Sequence, residues 1–162
     1  PDTPMLEEYM TGIQYLNFIC DIYRVPVKTR KAKVDSLIEQ FQMEKSINSL
    51  ISSFSHGMKQ KTALIAAFAH DPKILILDEP FIGLDPESFI ILKNQMNRLR
   101  SMGGAILFSS HILDVVERVC NKIAVIKDGK LVYEGATEEA TRLNNLESFF
   151  MELNHADAIS SL

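Results

Sequence analysis

Two short, continuous apolar runs each end in a cluster of polar residues. Ile74-Leu75-Ile76-Leu77 runs into Asp78-Glu79-Pro80, and Ala105-Ile106-Leu107-Phe108 runs into Ser109-Ser110-His111. Uninterrupted runs of this length are expected of strands buried on both faces of a parallel sheet. A helix is expected between them. Asp85 is placed to cap it, Pro86 takes the first helical position with Glu87 next, the apolar stripe is Phe89, Leu92, Met96 and Leu99, and Gly103-Gly104 closes it. Strand, helix and strand make a βαβ unit. A right-handed crossover brings both polar clusters to the carboxyl edge of one sheet, where open α/β folds bind their ligands.

At such an edge two adjacent acids divide their work. Pleating sends successive side chains to opposite sides, so Asp78 is placed to hold a metal while Glu79 orients a water, and His111 is within range to sense a phosphate. Each residue also has a plain structural explanation, with Asp78 capping a turn and His111 starting a helix over Ile112 to Val119. The combination with Gly83-Leu84-Asp85-Pro86 at this interval is much harder to obtain from structural needs alone.

Before this unit the period is helical. Ile13, Leu16, Cys20 and Tyr23, then Val34, Leu37, Ile38 and Phe41, recur at the spacing of one helix face, with Pro26 between the two sets. Ser52 to Gly57 is a polar break, and Met58 to Ala69 reads as a third helix ended by Asp71-Pro72. After the unit, Ile123–Ile126 and Leu131–Tyr133 flank Asp128-Gly129, the strongest two-residue hairpin signal, which predicts an antiparallel edge. The expected division is a helical subdomain over 1–72, a sheet-bearing half-core over 73–136 and a helical tail over 137–162.

Composition narrows the function classes. The chain is 46% hydrophobic and 23% charged, as ordinary globular proteins are, and its net charge of −4 without a Lys/Arg run argues against a nucleic-acid partner. Cys20 and Cys120 lack metal-ligand spacing and read as reduced thiols. The longest apolar stretch, Ala63 to Ala69, is far below the ~20 residues that span a bilayer, so any membrane link is expected to come through a partner. Pro1 in place of methionine reads as the start of a piece of a longer polypeptide.

These motifs resemble those of the ABC ATPase family. Ile74 to Pro80 is similar to its Walker B strand, Gly83-Leu84-Asp85-Pro86 to its D-loop and His111 to its switch histidine. Phe54-Ser55-His56-Gly57-Met58, followed by Lys59-Gln60-Lys61, stands where the family carries Leu-Ser-Gly-Gly-Gln. Phe54, His56 and Met58 depart from that signature, while Ser55 and Gly57 keep it. The Gly-Met-Lys-Gln variant is similar to that of exporter ATPases. Pro1 to Leu6 resembles the loop with a magnesium-sensing glutamine, whose place Asp2 takes, and Leu146 to Leu153 resembles a final helix of exporter ATPases.

The resemblance implies an α/β, P-loop NTPase-like ABC ATPase core, with a parallel sheet, flanking helices and an antiparallel edge hairpin, plus a helical signature subdomain, truncated at its N-terminus. It implies ATP and magnesium, with Asp78 and Asp2 as metal ligands, Glu79 and His111 as catalytic residues, and Ser55, Gly57, Asp85 and His111 as nucleotide contacts. It further implies a membrane-spanning transporter subunit, a second ATP-binding subunit arranged head to tail, and a place on the cytoplasmic face of the cell membrane. The rival readings are a DNA-repair head, a regulatory ABC protein and a translation-associated one. The 162 residues contain no Gly-x-x-x-x-Gly-Lys-Ser/Thr loop, so hydrolysis is expected of the intact subunit and not of this polypeptide alone.

Overall fold

The computed structural model describes residues 4–142 and 144–159, with side chains as far as Leu153. The chain forms two compact units, divided between Ser109 and Ser110.

The first unit begins with three helices. Helix α1 (Gly12–Ile22) starts at a reciprocal cap: Gln14 N–H donates to Thr11 Oγ1 at 3.3 Å and Thr11 N–H to Gln14 Oε1 at 2.9 Å. Helix α2 (Val27–Gln40) starts after Pro26, and helix α3 (His56–Ala69) after Ser55, whose hydroxyl accepts from Met58 N–H at 3.3 Å. Leu16, Cys20, Val34, Leu37 and Ile38 are buried, as their spacing predicts, with Phe41, Met43, Ile51, Ile65 and Phe68. Full burial of each large apolar side chain contributes about 1.5–3 kcal/mol, which makes this cluster the main stabilising feature of the helical half. The polar break holds one short 3-10 turn, Ile51–Ser53.

Strand β1 (Ile74–Asp78), helix α4 (Pro86–Ser101) and strand β2 (Ala105–Ser109) complete the unit as the expected βαβ motif, with the two strands parallel and Asp78 in register with Ser109. Asp85 caps α4, and Leu92, Met96 and Leu99 are its buried stripe. Its far end is closed by paired carbonyl bonds, Gly103 N–H to Arg100 O at 2.9 Å and Gly104 N–H to Leu99 O at 3.0 Å, with Gly103 at φ +85. The strands differ from expectation in burial. Leu75 is buried, but Ile74, Ile76 and Leu107 on the opposite face are 70%, 72% and 65% exposed. Among the described residues of this unit β1 and β2 pair only with each other, and no element of the unit covers this second face.

The second unit holds α5 (Leu113–Val119), β3 (Lys122–Lys127), β4 (Lys130–Ala136), α6 (Thr137–Ala140) and α7 (Leu146–Ile159). Asp128 and Gly129, at φ +50 and +73, make the two-residue turn of the β3–β4 hairpin. A register shift after Val125 leaves Val132 as an extra residue on β4. Ile123, Ala140 and Leu146 form a small core with Leu113, Val116, Tyr133 and Phe149. Glu117 joins α5 to α7 by accepting Leu146 N–H at 2.9 Å. Burial raises the thiol pKa values of Cys20 and Cys120, the latter to about 11, and both cysteines are free.

Candidate functional site

The end of β1 is fixed by the end of β2. Ser109 Oγ donates to Asp78 Oδ1 at 2.5 Å, and Glu79 N–H reaches both Ser109 Oγ at 3.1 Å and Ser109 O at 3.2 Å. Ser109 therefore addresses both acids at once, a role that follows from its register with Asp78. The two acids do not part by pleating. The strand ends at Asp78, and Glu79 lies at φ +45, so a left-handed backbone bend separates it from Asp78. A non-glycine residue in that region is held there by its surroundings at a cost of about 1–3 kcal/mol. Pro80 follows, fully buried, and fixes the exit of the chain.

The turn after β1 packs on the first turn of α3. Gln60 Nε2 donates to Pro80 O at 3.3 Å. A Cβ built on Gly57 would stand 2.9 Å from Gly83 O, so no larger residue fits at 57 without displacing backbone. Gly83 itself is at φ +75 beneath the His56 ring. Lys61 Nζ lies 2.7 Å from Asp85 Oδ2, and Asp85 also accepts from Ser88 N–H and Ser88 Oγ, each at 2.9 Å. Lys61, then the Ser88 amide, hold the Asp85 carboxyl far below the usual carboxylate range. Gly57, two residues after Ser55, thus lies against the segment that leads from Glu79 to Asp85.

Ser55, Gly57, Asp78, Glu79 and Asp85 all belong to the first unit. His111 belongs to the second. It precedes α5, one residue after Ser110, whose hydroxyl accepts Ile112 N–H at 3.2 Å. With Ser110, Leu113, Val116, Ile123 and Phe149 it lines a cavity of about 370 Å³. Asp2 lies outside the described residues. Among the described residues no group of three or more His, Cys, Asp or Glu side chains is disposed to hold a metal ion. Asp78 is exposed and carries a single carboxylate. That is adequate for magnesium, which commonly takes one or two carboxylates and draws its other ligands from water and phosphate.

Three contributors lie beyond what the spacing of the motifs reveals: Ser109, Gln60 and Lys61. Ser109 had a readable signal in its position opposite Asp78 at the strand ends. Gln60 and Lys61 had none, since they act on residues 20 and more positions away across a helix-to-turn contact.

The chain is similar to known proteins. Residues 3–82 match the family described as ABC transporter. The ABC-type transporter ATP-binding protein EcsA of Bacillus subtilis is 32% identical over 163 residues, covering 98% of this chain and 66% of that protein. The ABC transporter ATP-binding protein NatA of the same organism is 35% identical, over 90% of this chain and 61% of that protein. A solved structure titled as that of an ATP-binding subunit of an ABC transporter superposes with a TM-score of 0.91 at 31% identity, covering 95% of this chain and 66% of its own. The chain thus spans a little under two thirds of these relatives' length.

Proposed function

Because the chain belongs to the ABC transporter ATP-binding family, we propose that it forms part of a subunit that hydrolyses ATP to drive a membrane-spanning transporter partner. One observation carries the reading: Ser109 fixes the two acids at the end of β1, and the turn that follows them packs through Gly83 on Gly57 in the first turn of α3.

Magnesium, held by Asp78, would offset phosphate charge. Glu79 orients the attacking water and accepts its proton, for which its backbone is already fixed at N–H by Ser109. His111 contacts the γ-phosphate. Ser55 and the backbone at Gly57, at the start of α3, offer amides and the positive end of the helix dipole to a phosphate. In a head-to-tail pair of subunits that phosphate belongs to the nucleotide of the opposite copy, and Asp85 couples the two halves. Asp2 would serve as a second magnesium ligand.

Export is the proposed direction. The Gly57-Met58-Lys59-Gln60 variant supports it, as does 34% identity, over 70% of this chain and 34% of that protein, to the Nod factor export ATP-binding protein I of Rhizobium meliloti. The proposed place is the cytoplasmic face of the cell membrane, where a membrane-spanning partner seats the subunit; among the described residues no helix is long and apolar enough to cross a membrane.

The test is Glu79→Gln in the full-length protein. ATP binding should persist while turnover falls by at least ~100-fold, the scale of a positioned general base. Phosphate release near the wild-type rate would remove Glu79 from the mechanism.

A further inference from the structure

One face of α3 meets the turn after β1 position by position. His56, Gly57, Gln60 and Lys61 share that face, one helical turn apart in pairs. His56 and Gly57 meet Gly83, Gln60 meets Pro80, and Lys61 meets Asp85. The four contacts cover the turn from its entry at Pro80 to the cap of α4.

His56 contributes a part that only a ring supplies. A Cβ on Gly83 would stand 2.7 Å from His56 Cδ2 and 3.1 Å from Nε2, so the imidazole lies flush on a backbone that carries no side chain. At φ +75 Gly83 is also in the region that glycine adopts most readily. The turn is tied back to the acid in the same way: Ile82 N–H donates to Glu79 O at 3.1 Å and Leu84 N–H to Phe81 O at 3.5 Å.

We propose that His56 is a positioning residue: its ring, laid on Gly83, fastens the Phe81–Asp85 turn to the first turn of α3, so that the helix and Glu79 are displaced together. A push on α3 then reaches the carboxylate through a packed contact, without His56 touching the reacting atoms. The catalytic part of this inference rests on the hydrolytic reading above; the packing part does not.

The full-length protein and its His56→Gly and His56→Phe variants separate the two parts. Amide exchange at Ile82 and Leu84 should accelerate by at least ~5-fold in His56→Gly and return to within about twofold of wild type in His56→Phe, with α2 unchanged. Turnover should fall about 3–10-fold in His56→Gly with ATP affinity within about twofold, and the phenyl ring should restore it. Unchanged exchange in His56→Gly overturns the fastening, whatever the activity. Faster exchange with unchanged turnover overturns the positioning role. Wild-type turnover in Glu79→Gln would defeat the hydrolytic reading and leave the exchange result to judge the contact alone.

Thermal unfolding adds a check that does not depend on activity. Gly83→Ala should lower the midpoint by at least ~2 °C less in the His56→Gly background than in wild type, because the clash is gone and only backbone strain is left. Additive effects would overturn the contact.

Discussion

Ser109 holds Asp78 and Glu79 with one side chain: its hydroxyl donates to the first carboxylate and accepts the backbone N–H of the second. Removing that hydroxyl in Ser109→Ala leaves the Ser109 carbonyl to hold the Glu79 amide alone. A net hydrogen bond is worth about 1 kcal/mol, so turnover in the full-length protein should drop about fivefold, and Ser109→Thr should keep most of it. Steady-state phosphate release decides the matter, and an alanine variant with wild-type turnover would show that the hydroxyl is not needed.

The Lys61–Asp85 pair predicts a pH dependence of stability. Asp85 has its pKa depressed on folding from 3.8. Its contribution is therefore present above that value and is lost as pH falls toward the folded-state pKa. The Asp85 side chain is 48% exposed, which limits the pair to about 0.5–1 kcal/mol. Lys61→Met should lose that amount in urea unfolding at pH 7 and nearly as much at pH 4, with the loss shrinking only as the pH is carried well below 3.8 toward the folded-state pKa. A loss that stays constant over the whole acid range would assign the effect to packing of the lysine stem instead.

Gly12 is predicted to reject even a methyl group. A Cβ there would stand 2.7 Å from Ile47 Cδ1 and 2.8 Å from Ile47 O. The side chain can turn away, but the carbonyl cannot, since it accepts Ile13 N–H at 2.8 Å. Overpacking of this kind costs about 1–3 kcal/mol, against at most about 1 kcal/mol gained from the better helix propensity of alanine. Gly12→Ala should therefore lower stability by about 1–2 kcal/mol in chemical denaturation. A stabilised variant would mean that α1 can shift away from Ile47.

The apolar face of β1 and β2 predicts self-association of the 162-residue polypeptide. Ile74, Ile76 and Leu107 lie side by side there with about two thirds or more of their surface exposed. Sedimentation velocity should show association that increases with concentration, and Ile76→Lys should shift it toward monomer. A monomer at all concentrations would show that this face does not drive contacts between copies.

Much of this fold is legible in the residues because the determinants are local. Asp85-Pro86 fixes the start of α4, Gly103-Gly104 its end, and Asp128-Gly129 the hairpin, each through a backbone requirement satisfied within a few positions. Helix periodicity likewise locates Leu16, Cys20, Val34 and Leu37 in the core. The exposure of Ile74, Ile76 and Leu107 was not legible, because an apolar run records only that a residue prefers cover, not whether an element lies over it. Asp78 and Glu79 could be placed at a strand end by sequence, but the bend at Glu79 depends on Ser109 and Pro80, and its sign is invisible in the residue types. Lys61 and Gln60 show the same limit, since helix-to-turn packing leaves no periodic trace.

Glu79 sits in a backbone conformation that glycine or asparagine adopts more readily. A library varied at this position and selected only for heat resistance should enrich those two residues, each of which lacks the carboxylate assigned here to proton transfer. Durability and chemistry would then be competing demands on one side chain.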